Sequence, residues 1–122
     1  MSVNHVDSVD GEIEAIDLIT VPEAAEALGL PIPRIHQYVR DGQLLLVRQD
    51  GVGRIPAAFL LDGAIVKGLA GVIVLLRDGG YQDADILNWL YRRDASLPGT
   101  PIQALRENRG TEVKRRAQAA AF

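Results

Sequence analysis

The chain has 122 residues, 48% of them hydrophobic, which is enough for one domain-sized core. It has no cysteine, which excludes disulfides and thiolate metal sites, and its two histidines, His5 and His36, stand too far apart to suggest a metal site. The net charge of −3 argues against a nucleic-acid partner, until its distribution is considered.

Residues 1–20 contain Asp7, Asp10, Glu12, Glu14 and Asp17 with no Lys or Arg, a balance of −5. Residues 21–122 hold all 13 basic residues against 11 acidic ones, and between 31 and 56 four arginines face Asp41 and Asp50. A mildly basic folded part thus follows an acidic segment. Residues 1–15 read as a disordered acidic tail, which either covers a basic face or simply solvates the chain. No basic stretch followed by an apolar run opens the chain, so no signal peptide is expected. The longest apolar stretch, Ala64 to Leu76, is 13 residues long, short of the roughly 20 that a membrane span needs. The expected location is cytoplasmic and nucleoid-associated.

The first element after a short strand near 16–19 is a helix with a capping box, Thr20-Val21-Pro22-Glu23, whose hydroxyl and carboxylate satisfy free backbone donors reciprocally. Gly29 ends it. A second helix over 31–41 follows at once. Pro31 and Pro33 fit only its first turn. Ile35, Tyr38 and Val39 face inward by their spacing, and Arg34, Gln37 and Arg40 share the outer face, with His36 nearby. Asp41-Gly42 closes it. Two apolar runs, Leu44–Arg48 and Arg54–Pro56, then flank the turn Gln49-Asp50-Gly51-Val52-Gly53, a β-hairpin signal. Pro56 ends the second strand or places it on an edge.

The second half reads as helical: Ala64–Arg77, Asp83–Arg92, Ile102–Glu107 entered through Thr100-Pro101, and Thr111–Ala120 capped by Thr111. Ala64–Leu76 is apolar nearly all round, so it is either the central helix or a homodimer seam. Trp89, with Pro98, Gly99 and Pro101 setting the loop, reads as the anchor of these helices; Tyr38 and Tyr81 read as packing residues. The fold class is mainly α: a winged helix-turn-helix over 16–62, made of two helices plus a β-hairpin wing, followed by a compact four-helix C-terminal module over 63–122.

Two helices joined by a glycine turn and followed by a hairpin suit double-stranded DNA. The first helix braces the second, and the second reads base edges in the major groove. Arginine can make two bonds to guanine and glutamine two to adenine, so Arg34, Gln37 and Arg40 are the candidate readers, with His36 beside them. Arg48 and Arg54, one on each arm of the wing, are candidate phosphate contacts. The competing reading is plain: helix pairs of this kind occur in many proteins, and outer-face arginines are commonly just solvated. No enzyme is indicated. Asp83 and Asp85 open a helix, where acids suit its dipole, and Gly51-Val52-Gly53 lacks the rest of a phosphate loop, so no cofactor is expected.

The stretch Val21-Pro22-Glu23-Ala24-Ala25-Glu26-Ala27-Leu28-Gly29-Leu30 is similar to the opening of MerR-type and excisionase-type winged helices. Several later stretches resemble a family of small actinobacterial DNA-binding proteins, and that resemblance covers about residues 16–122. They are Leu75–Tyr81, Ile86–Leu90, Leu97–Arg106 and Glu112–Ala119. It implies a winged helix-turn-helix fused to a helical C-terminal domain. The family's mycobacterial member is a substrate of a membrane Ser/Thr protein kinase; the tail here departs from it in having no threonine before Thr20, which leaves Ser2 and Ser8 as the tail acceptors. Pro31 and Pro33 depart from the Ser or Thr usual at the start of such a recognition helix, and they offer no N–H to a phosphate. Trp89-Leu90, Leu97–Ile102, Leu105, Gly110 and Val113 also resemble the toxin-binding domain of some antitoxins. That resemblance keeps open a module that holds a protein partner.

Overall fold

The computed structural model describes residues 16–94, 96–97 and 99–122. The expected tail 1–15, with Ser2 and Ser8, lies outside the described residues, as do Ala95 and Pro98.

A three-residue strand, β1 (Leu18–Thr20), runs directly into helix α1 (Val21–Leu28). The junction is the expected capping box: Glu23 N–H donates to Thr20 Oγ1 at 3.2 Å, and Thr20 N–H donates to Glu23 Oε1 at 2.8 Å. Gly29 closes α1 at φ 67, and Leu30 N–H reaches back to the Ala25 carbonyl at 2.9 Å. Helix α2 (Ile32–Arg40) begins with Pro31 as its N-cap and Pro33 in its first turn. Ile35 is fully buried, and Tyr38 and Val39 are half-buried against the same core.

Strands β2 (Val47–Gln49) and β3 (Val52–Pro56) pair across the two residues Asp50 and Gly51. Their φ values of 54 and 77 are both positive, as a type I′ hairpin turn requires. β1 pairs antiparallel with the other side of β3, giving the order β1-β3-β2. Pro56 ends the central strand, opposite Leu18.

The expected helix over 64–77 needs correction. Ala64 and Ile65 form a strand, β5, paired with β4 (Leu60–Leu61) across Asp62 and Gly63, and a 3-10 turn (Ala57–Phe59) leads into this second hairpin. Asp62 and Gly63 have φ values of 53 and 78, the same turn chemistry as the wing. Gly68, at φ 89, stops any helix from starting earlier, so α3 runs only from Leu69 to Asp78. The boundary expected between residues 62 and 63 falls at the tip of this hairpin.

Three more helices follow: α4 (Asp83–Tyr91), α5 (Pro101–Arg106) and α6 (Gly110–Ala121). Thr100 Oγ1 accepts from Gln103 N–H at 3.3 Å and caps α5. The last helix begins one residue before the expected Thr111 cap and has no side-chain cap. Instead Arg109 forks onto Glu112, Nε to Oε1 at 3.0 Å and Nη2 to Oε2 at 3.2 Å. That clasp holds the Glu112 carboxyl below the usual range. α3 is the central helix: Leu69, Val72, Ile73 and Leu76 are buried, and α6 and α4 pack against it.

One core spans both halves, joining Ile35, Ile55 and Phe59 to Ile73, Leu90, Leu105 and Val113. Arg106 of α5 adds a polar tie, its Nη1 donating to the carbonyls of Ala58 and Leu60, each at 2.8 Å. No helix of the described residues is long and apolar enough to cross a membrane.

Candidate nucleic-acid interface

α2 is amphipathic because only Ile35, Tyr38 and Val39 turn toward the core; Arg34, His36, Gln37 and Arg40 are exposed. At 3.6 residues per turn, Gln37 and Arg40 lie near the middle of the outer face, with Arg34 toward the Tyr38 side and His36 toward the other. No hydrogen bond or ion pair ties the side chains of His36, Gln37 or Arg40 among the described residues.

Arg34 is held differently. Its guanidinium carbon lies 5.3 Å from the centre of the Tyr38 ring, and its Nη2 donates to Tyr38 Oη at 3.2 Å. This (i, i+4) pair lays the arginine along the helix flank. A DNA contact by Arg34 must work from that posture or break it.

The wing arginines part company. Val47 stands opposite Arg54, and Arg48 stands opposite Gly53. Residues directly opposite share a face and neighbours along a strand alternate, so Arg48 and Arg54 leave the sheet on opposite sides. Arg48 is exposed. Arg54 is half-buried, also opposite Thr20 of β1, and its Nε is shut off from solvent without a hydrogen-bond partner. It stands near the start of α1. There the Glu23 carboxyl is held below the usual range by the backbone and hydroxyl of Thr20 and, to a smaller degree, by the Arg54 charge.

Two exposed apolar residues belong to the same region and escaped the reading of the sequence. Ile32, at the first position of α2, is 42% exposed, and Val52, beside the wing turn, is 46% exposed. Ile32 continues the inward spacing of Ile35 and Val39, so periodicity alone hides it among the core residues. The helix simply starts beyond the edge of the core. Pro33 has no N–H, and the Arg34 N–H is spent on the Pro31 carbonyl at 3.0 Å. The start of α2 is therefore poor in donors and offers apolar surface instead.

The turn between α2 and β2 rests on the C-terminal half. A Cβ at Gly42 would meet Arg77 Nη1 at 3.1 Å and Val74 Cγ2 at 3.2 Å. Arg77 is in turn fixed by two bonds to Asp83, at 3.0 and 3.1 Å. The end of the exposed helix is thereby braced by α3 and α4. No cluster of His, Asp or Glu among the described residues is placed to hold a metal ion.

Comparison with known proteins agrees with this geometry. Residues 7–60 match a family model described as "DNA-binding protein Rv2175c, wHTH domain". Residues 66–121 match one described as "Rv2175c C-terminal domain of unknown function". The protein described as "DNA-binding protein Rv2175c", from Mycobacterium tuberculosis, is 38% identical over 129 residues, which is 95% of this chain and 86% of that one. The solved structure described as "NMR structure of Rv2175c" superposes with a TM-score of 0.81 at 37% identity, covering 88% of this chain and 82% of that chain. With a winged helix-turn-helix in its first half and the matching C-terminal domain in its second, the chain belongs to the Rv2175c family.

Proposed function

We propose that this chain binds double-stranded DNA and regulates transcription, reading the major groove with α2 and gripping phosphates with the wing. The observation that carries the reading is the outer face of α2, where Gln37 and Arg40 stand exposed with their donors unengaged on a winged helix-turn-helix scaffold. The relative's description as a DNA-binding protein supports it.

Gln37 pairs with an adenine edge and Arg40 with a guanine edge, each through two hydrogen bonds. Arg34 and His36 flank them. Ile32, exposed where donors are missing, suits the methyl group of a thymine. Arg48 meets a phosphate from the wing, and Arg54 meets another beside the start of α1. Val52 takes the wing tip's apolar contact in the neighbouring groove. The tail hydroxyls of Ser8 and Ser2 are where a Ser/Thr kinase would add up to two negative charges apiece and weaken that attraction.

Fluorescence anisotropy tests the reading, with random duplex and with a selected pool, each at two salt concentrations. Binding should weaken with salt and favour the selected sequences. No binding at low salt would exclude the proposal.

A further inference from the structure

Successive side chains of an α-helix stand about 100° apart around its axis. Arg34 therefore lies about 60° round α2 from Gln37, and Tyr38 about 40° further on, toward the core. The Arg34 side chain leans the same way: its guanidinium carbon is 5.3 Å from the centre of the Tyr38 ring, and its Nη2 donates to Tyr38 Oη at 3.2 Å. Its charge is thereby carried off the middle of the outer face, where Gln37 and Arg40 stand, and onto one flank of the helix.

The ring beneath it is fixed. Tyr38 is half-buried against the core and lines a groove of about 290 Å³ with Leu28, Leu30 and Ile65 of β5. Its carbonyl accepts from Gln43 N–H at 2.8 Å in the turn that closes α2. The guanidinium, by contrast, keeps most of its donors. It has five N–H groups, and Tyr38 Oη takes one. α2 carries no acidic residue from Ile32 to Arg40, and the ion pairs among the described residues are Arg77–Asp83 and Arg109–Glu112, so no carboxylate neutralises Arg34 there.

A helix with its side chains is about 10–12 Å across, and the major groove is about 12 Å wide. The middle of an inserted helix face then meets base edges, and its flanks meet the phosphates of the two groove walls. The first turn of α2 also lacks the usual backbone anchor for a phosphate. Pro33 has no N–H, and the Arg34 N–H is spent on the Pro31 carbonyl at 3.0 Å. A side chain on the flank has to supply those donors, and Arg34 is in place to do so.

We propose that Arg34 is a phosphate clamp and not a base reader, and that Tyr38 is the positioning residue that holds it toward the groove wall. Stacking on an aromatic ring leaves the planar guanidinium fork free to take a phosphate with two hydrogen bonds. The assignment rests on α2 entering the major groove, and within that reading it leaves Gln37 and Arg40 as the base-reading pair.

Anisotropy titrations of the full-length protein test it, on a selected site and on random duplex, each over a range of salt. Arg34→Gln should weaken both by the same factor, about tenfold, and lower the salt slope by about one. The consensus that Arg34→Gln selects should match the wild type's. Tyr38→Phe keeps the ring and removes the hydroxyl. It should weaken both duplexes by a smaller common factor, and that loss should vanish in the Arg34→Gln background, which a merely structural role for Tyr38 would not produce. A consensus that loses a guanine in Arg34→Gln would put Arg34 on a base edge and overturn the proposal, while leaving α2 as the reading helix. Full affinity in Arg34→Gln would overturn it as well, as would a Tyr38→Phe loss that is absent, or equal with and without Arg34. No DNA binding by the wild type would instead remove the reading on which the proposal rests, and the proposal with it.

Discussion

Gly42, the second residue after α2, lies so close to Val74 of α3 that an added Cβ would stand 3.2 Å from its Cγ2. The turn also needs φ 79, which a side chain resists. The orientation of the exposed helix is therefore set from the C-terminal half of the chain as well as from α1.

Gly42→Ala should accordingly lower stability by about 1–2 kcal/mol from the backbone conformation alone, and more if Val74 cannot yield. Urea denaturation gives the loss. A loss no larger than this backbone cost would show that Val74 yields and that α3 does not brace this turn.

On DNA, Gln37→Ala should relax preference at one base pair, at a cost of about 1–3 kcal/mol on the best site and little on random duplex. Arg48→Ala should weaken binding to all sequences and flatten the salt slope by about one. Anisotropy titrations separate the two patterns. Equal losses on every sequence from Gln37→Ala would mean that α2 is not the reading helix.

Arg106→Ala should destabilise the fold, because it strips the Ala58 and Leu60 carbonyls of their shared donor; each such part-buried group costs about 1–3 kcal/mol when left unpaired. Arg106→Lys should recover part of the loss. Thermal unfolding of both variants beside the parent provides the comparison, and an Arg106→Ala midpoint equal to the parent's would exclude a structural role for the guanidinium.

Tyr91 gives the pH dependence. Burial pushes its hydroxyl up from 10 to about 12, with the Arg106 charge opposing and the Asp17 charge assisting. The unfolded chain then loses this proton first as pH rises. The stability tied to the neutral hydroxyl is intact below pH 10 and is lost between 10 and 12. The hydroxyl has no hydrogen-bond partner, so Tyr91→Phe should leave stability at neutral pH unchanged or higher and flatten its alkaline fall. A fall as steep as the parent's would assign the alkaline limb to other groups.

Local chemistry made much of the first half legible. Thr20 and Glu23 announce the start of α1, Gly29 its end, and Asp50-Gly51 the wing turn, because each of these features is written in a few neighbouring residues. Asp62-Gly63 carries the same turn signal as Asp50-Gly51, but the apolar run that follows it reads as one helix. Gly68 inside that run is the residue that breaks it. The candidate site was harder. The outer face of α2 follows from helical spacing, whereas the opposite placement of Arg48 and Arg54 follows only once Val47 is known to pair with Arg54. The stacking of Arg34 on Tyr38 is a choice of rotamers that no pattern of residue types specifies.

β1 covers one edge of β3, the central strand, and so shields its backbone donors and acceptors. A truncation that trimmed past Leu18 would remove that cover and leave Arg54, Ile55 and Pro56 on a bare strand edge, a template on which a second molecule can pair. Where the acidic segment is cut thus decides whether the shortened protein stays dispersed or self-associates edge to edge.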